Sequence, residues 1–122
     1  MSQAPLPVRP IADGISVAPQ LLPAAMADAQ RAGFRSVVNN RPDFEGGPDQ
    51  PTGADIAAAA AAAGLAYRHL PVQGGWQSPE EIAAMAALLE ELPRPILLFC
   101  RSGARSTQLY QQAVALPGRR DA

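Results

Sequence analysis

The 122-residue sequence contains no lysine; all of its basic side chains are arginine. A Schiff-base lysine and a lysine phosphate clamp are therefore excluded. Cysteine and histidine occur once each, as Cys100 and His69. A single cysteine excludes an internal disulfide, so the fold needs no oxidising compartment. One thiol and one imidazole also fall short of the ligand sets that hold zinc, and neither a metal nor a cofactor is expected. An excess of one charge is missing too. The formal net charge is −1, which gives no basic field for nucleic acid. The alanine tract, Ala57 to Ala63, is too short and too weakly hydrophobic to cross a bilayer. Met1 to Pro10 has three prolines and no apolar core, so it does not resemble a secretory signal. The expectation is a cytoplasmic protein with no membrane or nucleic-acid partner.

What is present is 48% apolar, enough for one domain with its own core. Residues 1–10 are expected as a poorly ordered lead-in, 11–116 as the domain and 117–122 as a tail. Ile11 to Ala18, with the turn pair Asp13-Gly14, reads as a small hairpin or edge strand. A helix from Pro23 to about Ala32 ends at Gly33, and a strand runs from Phe34 to Asn40. Thr52 to Ala63 is a helix with Thr52 and Asp55 as its capping pair. Leu65 to Val72 is a third strand. Ser78-Pro79-Glu80-Glu81 is a capping box that opens a helix whose buried face is Ile82, Met85, Leu89 and Leu92. Strands alternate with helices, so the fold class is α/β, a single domain with a mostly parallel sheet flanked by helices.

Pro95 to Ser106 organises the rest. Ile96 to Phe99 reads as a strand buried on both faces, with Cys100 at its end. A tight loop through Gly103 follows, and a helix starts at about Ala104 and runs to Leu116. Loop N–H groups and the helix dipole converge there into an anion cradle. A thiol in that field is pushed toward thiolate, with Arg101 and Arg105 expected to add to the push. Cys100 is the candidate nucleophile, Arg105 the anion-binding side chain and Ser106 a hydroxyl donor to the thiolate. Arg101, Ser102, Gly103 and Ala104 complete the candidate binding loop.

The loop from Asn40 to Pro48 leaves the carboxyl end of a strand, the edge where open α/β sheets bind ligands. Arg41, Asp43 and Glu45 are its candidate rim residues, against the plain alternative of a solvated polar loop. Trp76 is either a platform facing substrate or a lid packed on the core. His69 reads as an ordinary polar residue at a strand end.

Cys100 to Ser106 resembles the active-site loop of cysteine-dependent phosphatases and of rhodanese-like sulfurtransferases. Taken with Asn39-Asn40-Arg41-Pro42-Asp43 and Tyr67-Arg68-His69-Leu70-Pro71-Val72, it is similar to the phosphatase-like domain of beta-lactamase hydrolase-like proteins, over about Ile11 to Val114. The resemblance implies a compact fold like that of the dual-specificity phosphatases. It also raises Arg41 and Asp43 as substrate-binding residues. Such relatives continue beyond the last helix, which implies a covering surface that this chain's short C-terminus would lack.

Two chemistries share such a cradle. Phosphatases of this type place five residues between cysteine and arginine, and rhodanese-like enzymes four. Here Arg101, Ser102, Gly103 and Ala104 are the four. Phe99 stands where phosphatases commonly have histidine. The loop Gln73-Gly74-Gly75-Trp76-Gln77 lacks the aspartate that protonates the leaving group in dual-specificity phosphatases. These departures favour sulfur transfer through a Cys100 persulfide, from a small anionic sulfur donor to a thiol acceptor. The alternative is hydrolysis of a phosphomonoester through a Cys100 phosphocysteine. A third possibility is an anion-binding or redox-sensing module without turnover.

Overall fold

A computed structural model describes residues 6–117 of the chain. Five strands and four helices follow one another: β1 (Arg9–Ala12), β2 (Ile15–Ala18), α1 (Ala25–Arg31), β3 (Ser36–Asn39), α2 (Gly53–Ala62), β4 (Ala66–His69), α3 (Pro79–Glu91), β5 (Ile96–Phe99) and α4 (Ala104–Val114). The sheet order is β1-β2-β5-β3-β4. Only β1 runs antiparallel to its neighbour; β2, β5, β3 and β4 are parallel. The α/β reading with a mostly parallel sheet therefore describes the fold.

β5 lies at the centre because it has no face that tolerates water. All four of its side chains are 0% exposed. Successive residues point to opposite faces of a strand, and β5 feeds two cores. Ile96 and Leu98 pack with Val38, Met85, Leu89 and Leu109 on the side covered by α3 and α4. Leu97 and Phe99 pack with Val37, Met26, Ala29, Ile56 and Ala60 on the side covered by α1 and α2. Each fully buried side chain of this size contributes about 1.5–3 kcal/mol.

Both capping boxes form. The Thr52 hydroxyl accepts from Asp55 N–H at the start of α2, and the Ser78 hydroxyl accepts from Glu81 N–H at the start of α3. The alanine tract gives α2 a thin face that lies close to the sheet, with Ile56 and Ala60 at 0% exposure.

The lead-in is shorter than the prolines suggest. Residues 1–5, like 118–122 of the expected tail, lie outside the described residues. Leu6 and Val8 pack against the α1–α2 core, and β1 begins at Arg9, including Pro10. β1 is an edge strand whose register breaks between Pro10 and Ala12, so the missing proline N–H costs no ladder bond. At the other edge, pairing continues beyond β4. Leu70 N–H donates to Asn39 carbonyl at 2.9 Å and Val72 N–H to Asn40 carbonyl at 3.0 Å. The expected strand to Val72 is thus present as extended chain that carries residues 70–72 up to the site.

Candidate active site

Cys100 follows β5 at the carboxyl edge of the sheet, between the two cores, and is 1% exposed. Gly103 turns the loop back at φ +95°, a left-handed conformation that favours glycine. A Cβ there would lie 3.5 Å from the Ala18 carbonyl oxygen at the end of β2. The turn aims Gly103 N–H at Cys100 Sγ, 3.1 Å away. From the other side of the loop, Gln20 N–H donates to the Arg101 carbonyl at 3.2 Å.

Burial pushes the Cys100 thiol up. The backbone N–H and hydroxyl of Ser106, with the N–H groups of Gly103 and Ser102, outweigh it and hold the thiol below its ordinary value. The lowered thiol and the loop donors behind it match the expectation; the arginines expected to add to it are not among the causes. Arg105 has a carboxylate of its own. Its Nη2–H donates to Glu45 Oε1 at 3.2 Å, and Nη1 lies 3.1 Å from Glu45 Oε2. Nη1–H also donates to the Val72 carbonyl at 3.1 Å.

A guanidinium has five N–H donors. These contacts occupy the edge of Arg105 that faces Glu45 and Val72. They leave Nε–H and one Nη2–H, on the other edge, without a protein acceptor among the described residues. A Cβ added at Gly74 would lie 3.6 Å from Nε and 3.7 Å from Nη2. That edge lies beside Gly74, and both residues line a cavity of about 230 Å³ with Gly75, Cys100, Arg101 and Gln108 among others. The cavity joins a thiol poised to ionise to two parallel donors spaced for two oxygens of one anion.

Arg101 and Ser102 are exposed and line this cavity, as does Ala104. The Ser102 hydroxyl accepts from Ala104 N–H at 3.3 Å. Ser106 is fully buried, and its hydroxyl donates to Asn40 Oδ1 at 2.9 Å.

The rim candidates divide. Glu45 reaches the site through Arg105. Arg41 stands one step back, with Nε donating to Glu45 at 2.9 Å and Nη1 to Gln20 Oε1 at 3.1 Å. Asp43 points elsewhere: its carboxylate accepts from Gly53 N–H at 2.7 Å, at the N-terminus of α2. Arg41 thus braces Glu45, Asp43 sits at the N-terminus of α2, and neither lines the cavity. His69 Nε2 bonds the Arg41 carbonyl at 2.8 Å, and its ring packs so closely on Gly53 that a Cβ there would sit 2.4 Å from Nδ1. Trp76 is 70% exposed and so is not packed on the core. Among the described residues no cluster of His, Cys, Asp and Glu could hold a metal ion.

Sequence reasoning missed Gln20 and Asn40. Asn40 carried a signal: an asparagine that continues a buried strand must find partners for both ends of its amide.

Residues 7–116 match the family described as "Beta-lactamase hydrolase-like protein, phosphatase-like domain". The chain belongs to this family. A beta-lactamase hydrolase-like protein of Agrobacterium fabrum is 34% identical over 109 residues, 89% of this chain and 25% of that protein. One from Xylella fastidiosa Temecula1 is 38% identical over 89 residues, 73% of this chain and 20% of that protein. The chain thus spans a quarter or less of the length of these curated relatives. A solved structure of a phosphatase candidate from Neisseria meningitidis Z2491 superposes with a TM-score of 0.74 at 27% identity, over 85% of this chain and 75% of that one. Other solved structures that share the fold of this phosphatase-like domain are also described as phosphatases. None of these relationships supports sulfur transfer. They favour the phosphoester alternative over the reading drawn from loop length, Phe99 and the missing aspartate.

Proposed function

We propose that the domain hydrolyses phosphomonoesters through a phosphocysteine on Cys100. The observation that carries this reading is the open edge of Arg105, two parallel N–H donors beside an acidic thiol in one cavity. Cys100 thiolate attacks phosphorus; the S–P bond forms as the ester P–O bond breaks. The arginine fork and the loop N–H groups hold the phosphoryl oxygens while charge shifts among them. Water then attacks the phosphocysteine, the S–P bond breaks with its electron pair returning to sulfur, and orthophosphate leaves.

Neither nearby carboxylate is set up as the acid for the leaving group. Hydrogen bonds from Arg41 and Arg105 outweigh the burial of Glu45 and hold its carboxyl below the usual range. Asp43 faces α2. A missing general acid lowers the rate by a factor of about 10² to 10⁴. The preferred substrate is therefore one whose alcohol leaves easily, such as an aryl ester. The whole-length relatives' activity would add to this domain's chemistry and does not follow from it.

The test is a rapid acid quench with an aryl phosphate, followed by weighing the intact protein. One phosphoryl group should appear on Cys100 and be absent in Cys100→Ser. An alkyl phosphate should react at least about a hundredfold more slowly. In a parallel incubation with thiosulfate, a stable added sulfur on Cys100 without aryl phosphate turnover would overturn the reading in favour of sulfur transfer.

A further inference from the structure

Asn40 is fixed on every side. Its N–H donates to the Phe99 carbonyl at 2.8 Å, and its own carbonyl accepts from Val72 N–H at 3.0 Å. Its side-chain Nδ2–H donates to the Leu70 carbonyl at 3.0 Å. That bond decides which way the amide faces, because a flip would set one carbonyl oxygen against another. Oδ1 is left directed at the Ser106 hydroxyl, 2.9 Å away. Both residues are 0% exposed, so no water substitutes for either partner.

The Ser106 hydroxyl has one proton and two acceptors in reach. One is Asn40 Oδ1, the acceptor it takes in this structure; the other is Cys100 Sγ, whose ionised form the same hydroxyl favours. We propose that Asn40 is a positioning residue for the Cys100 chemistry: it competes with the thiolate for the Ser106 hydroxyl proton and takes it while the sulfur is bonded to phosphorus. A hydrogen bond to a thiolate stabilises it and blunts its attack. Drawing the hydroxyl away leaves the sulfur more reactive in the first step. When the S–P bond breaks, the charge returning to sulfur draws the hydroxyl back and stabilises the departing thiolate. The proton stays on Oγ throughout. The order of steps rests on the phosphoester reading; the competition for the proton does not.

The charged and titratable groups around the loop are Arg101 and Arg105 within it, Arg41 and Glu45 from the β3–α2 loop, and His69 at the end of β4. All are retained when Asn40 or Ser106 is replaced, so they are common to every variant compared.

The test is the rate of Cys100 alkylation by iodoacetamide against pH, in the full chain and in Asn40→Ala, Ser106→Ala and the double variant. Asn40→Ala should move the midpoint down, with about tenfold more thiolate at a fixed pH below it. Ser106→Ala should move it up, and Asn40→Ala should then have no further effect. An equal shift in both backgrounds, or an upward shift in Asn40→Ala alone, would overturn the proposal. Should Asn40→Ala fail to fold, Asn40→Asp keeps the shape and offers the hydroxyl a stronger acceptor. Adding Ser106→Ala to the Asn40→Asp variant should then move the midpoint less than adding it to the parent, and equal effects would refute the competition. With an aryl phosphate, Asn40→Ala should slow the burst of phosphocysteine more than its breakdown. Loss of the burst in the parent protein counts against the phosphoester reading and leaves the alkylation result to judge Asn40.

Discussion

Glu45→Gln tests whether the carboxylate beside Arg105 orients that arginine or takes the substrate's place. Glu45 contacts Arg105 Nη1 and Nη2 at 3.1 and 3.2 Å and Arg41 Nε at 2.9 Å. The N–H groups it engages lie on the edge away from Gly74, so it braces the arginine without filling the open edge. Glutamine keeps the shape, but it removes the charge and turns an NH₂ toward a guanidinium. A hydrogen bond to a charged group contributes about 1.5–3 kcal/mol. Because Glu45 is 28% exposed, water screens the pair and the low end applies. About 1.4 kcal/mol is tenfold. Glu45→Gln should therefore lower kcat/KM for an aryl phosphate about tenfold and weaken competitive inhibition by orthophosphate by a similar factor. The alkylation midpoint of Cys100 should stay in place, since Glu45 is not among the thiol's partners. Stability should carry a pH signature. A carboxyl whose folded pKa is depressed contributes stability above the ordinary carboxylate range and loses it as pH falls through the lowered value. Thermal melts of the parent should fall over that acid window, and those of Glu45→Gln should fall less. Tighter orthophosphate binding in the variant would refute the bracing role and make Glu45 an internal occupant of the anion site.

Other outcomes follow from the same geometry. Cys100 also has a depressed folded pKa, so its contribution to stability is full above the ordinary thiol value and is lost as pH falls through the lowered one. Melting temperature should rise with pH across that window in the parent and stay flatter in Cys100→Ser. Arg105→Ala should abolish measurable inhibition by orthophosphate while moving the alkylation midpoint little. Arg101→Ala should raise KM several-fold and leave that midpoint unchanged; a larger effect on thiol acidity than on binding would contradict the orientation of the loop. Gly74→Leu should place a side chain across the open edge of Arg105 and cut kcat/KM more than about tenfold, the loss of one charged hydrogen bond, with little change in melting temperature. Unimpaired turnover in that variant would mean that the anion approaches from another side.

The fold was legible where the signals are local and strong. Ile96 to Phe99 has no polar residue to offer a wet face, so it had to be central. Ser78 with Glu81 and Thr52 with Asp55 are short-range devices that the backbone fulfils wherever a helix starts. Pro10 was read as ending the lead-in, although an edge strand tolerates a proline and β1 takes it in. The candidate site was legible in the same measure. Cys100, Gly103 and Ser106 sit close together in the chain, and their convergence is a matter of loop geometry. The reading of the arginines could not foresee Glu45, far from Arg105 in sequence, which closes on its guanidinium only once the sheet has formed. Asn40 and Ser106 are likewise joined across two strands. The choice of sulfur transfer rested on loop length, Phe99 and a missing aspartate. Those features say how many amides line a cradle and which helpers stand beside it, and nothing of which bond is broken above it.

The strand that ends at Cys100 contributes to the cores on both sides of the sheet, and that has a consequence for how the domain opens. Its amides can exchange with solvent only when the whole molecule unfolds, because no partial melting exposes one core and spares the other. The β3–α2 loop and the Gly74-Gly75 segment contribute to neither core and are held by hydrogen bonds and ion pairs, so they open at lower energy. The nucleophile therefore belongs to the last cooperative unit to yield, and the rim beside Arg105 belongs to the first. A lineage can remodel those outer segments for one ester after another, at little cost to the fold, while the sulfur stays where it is.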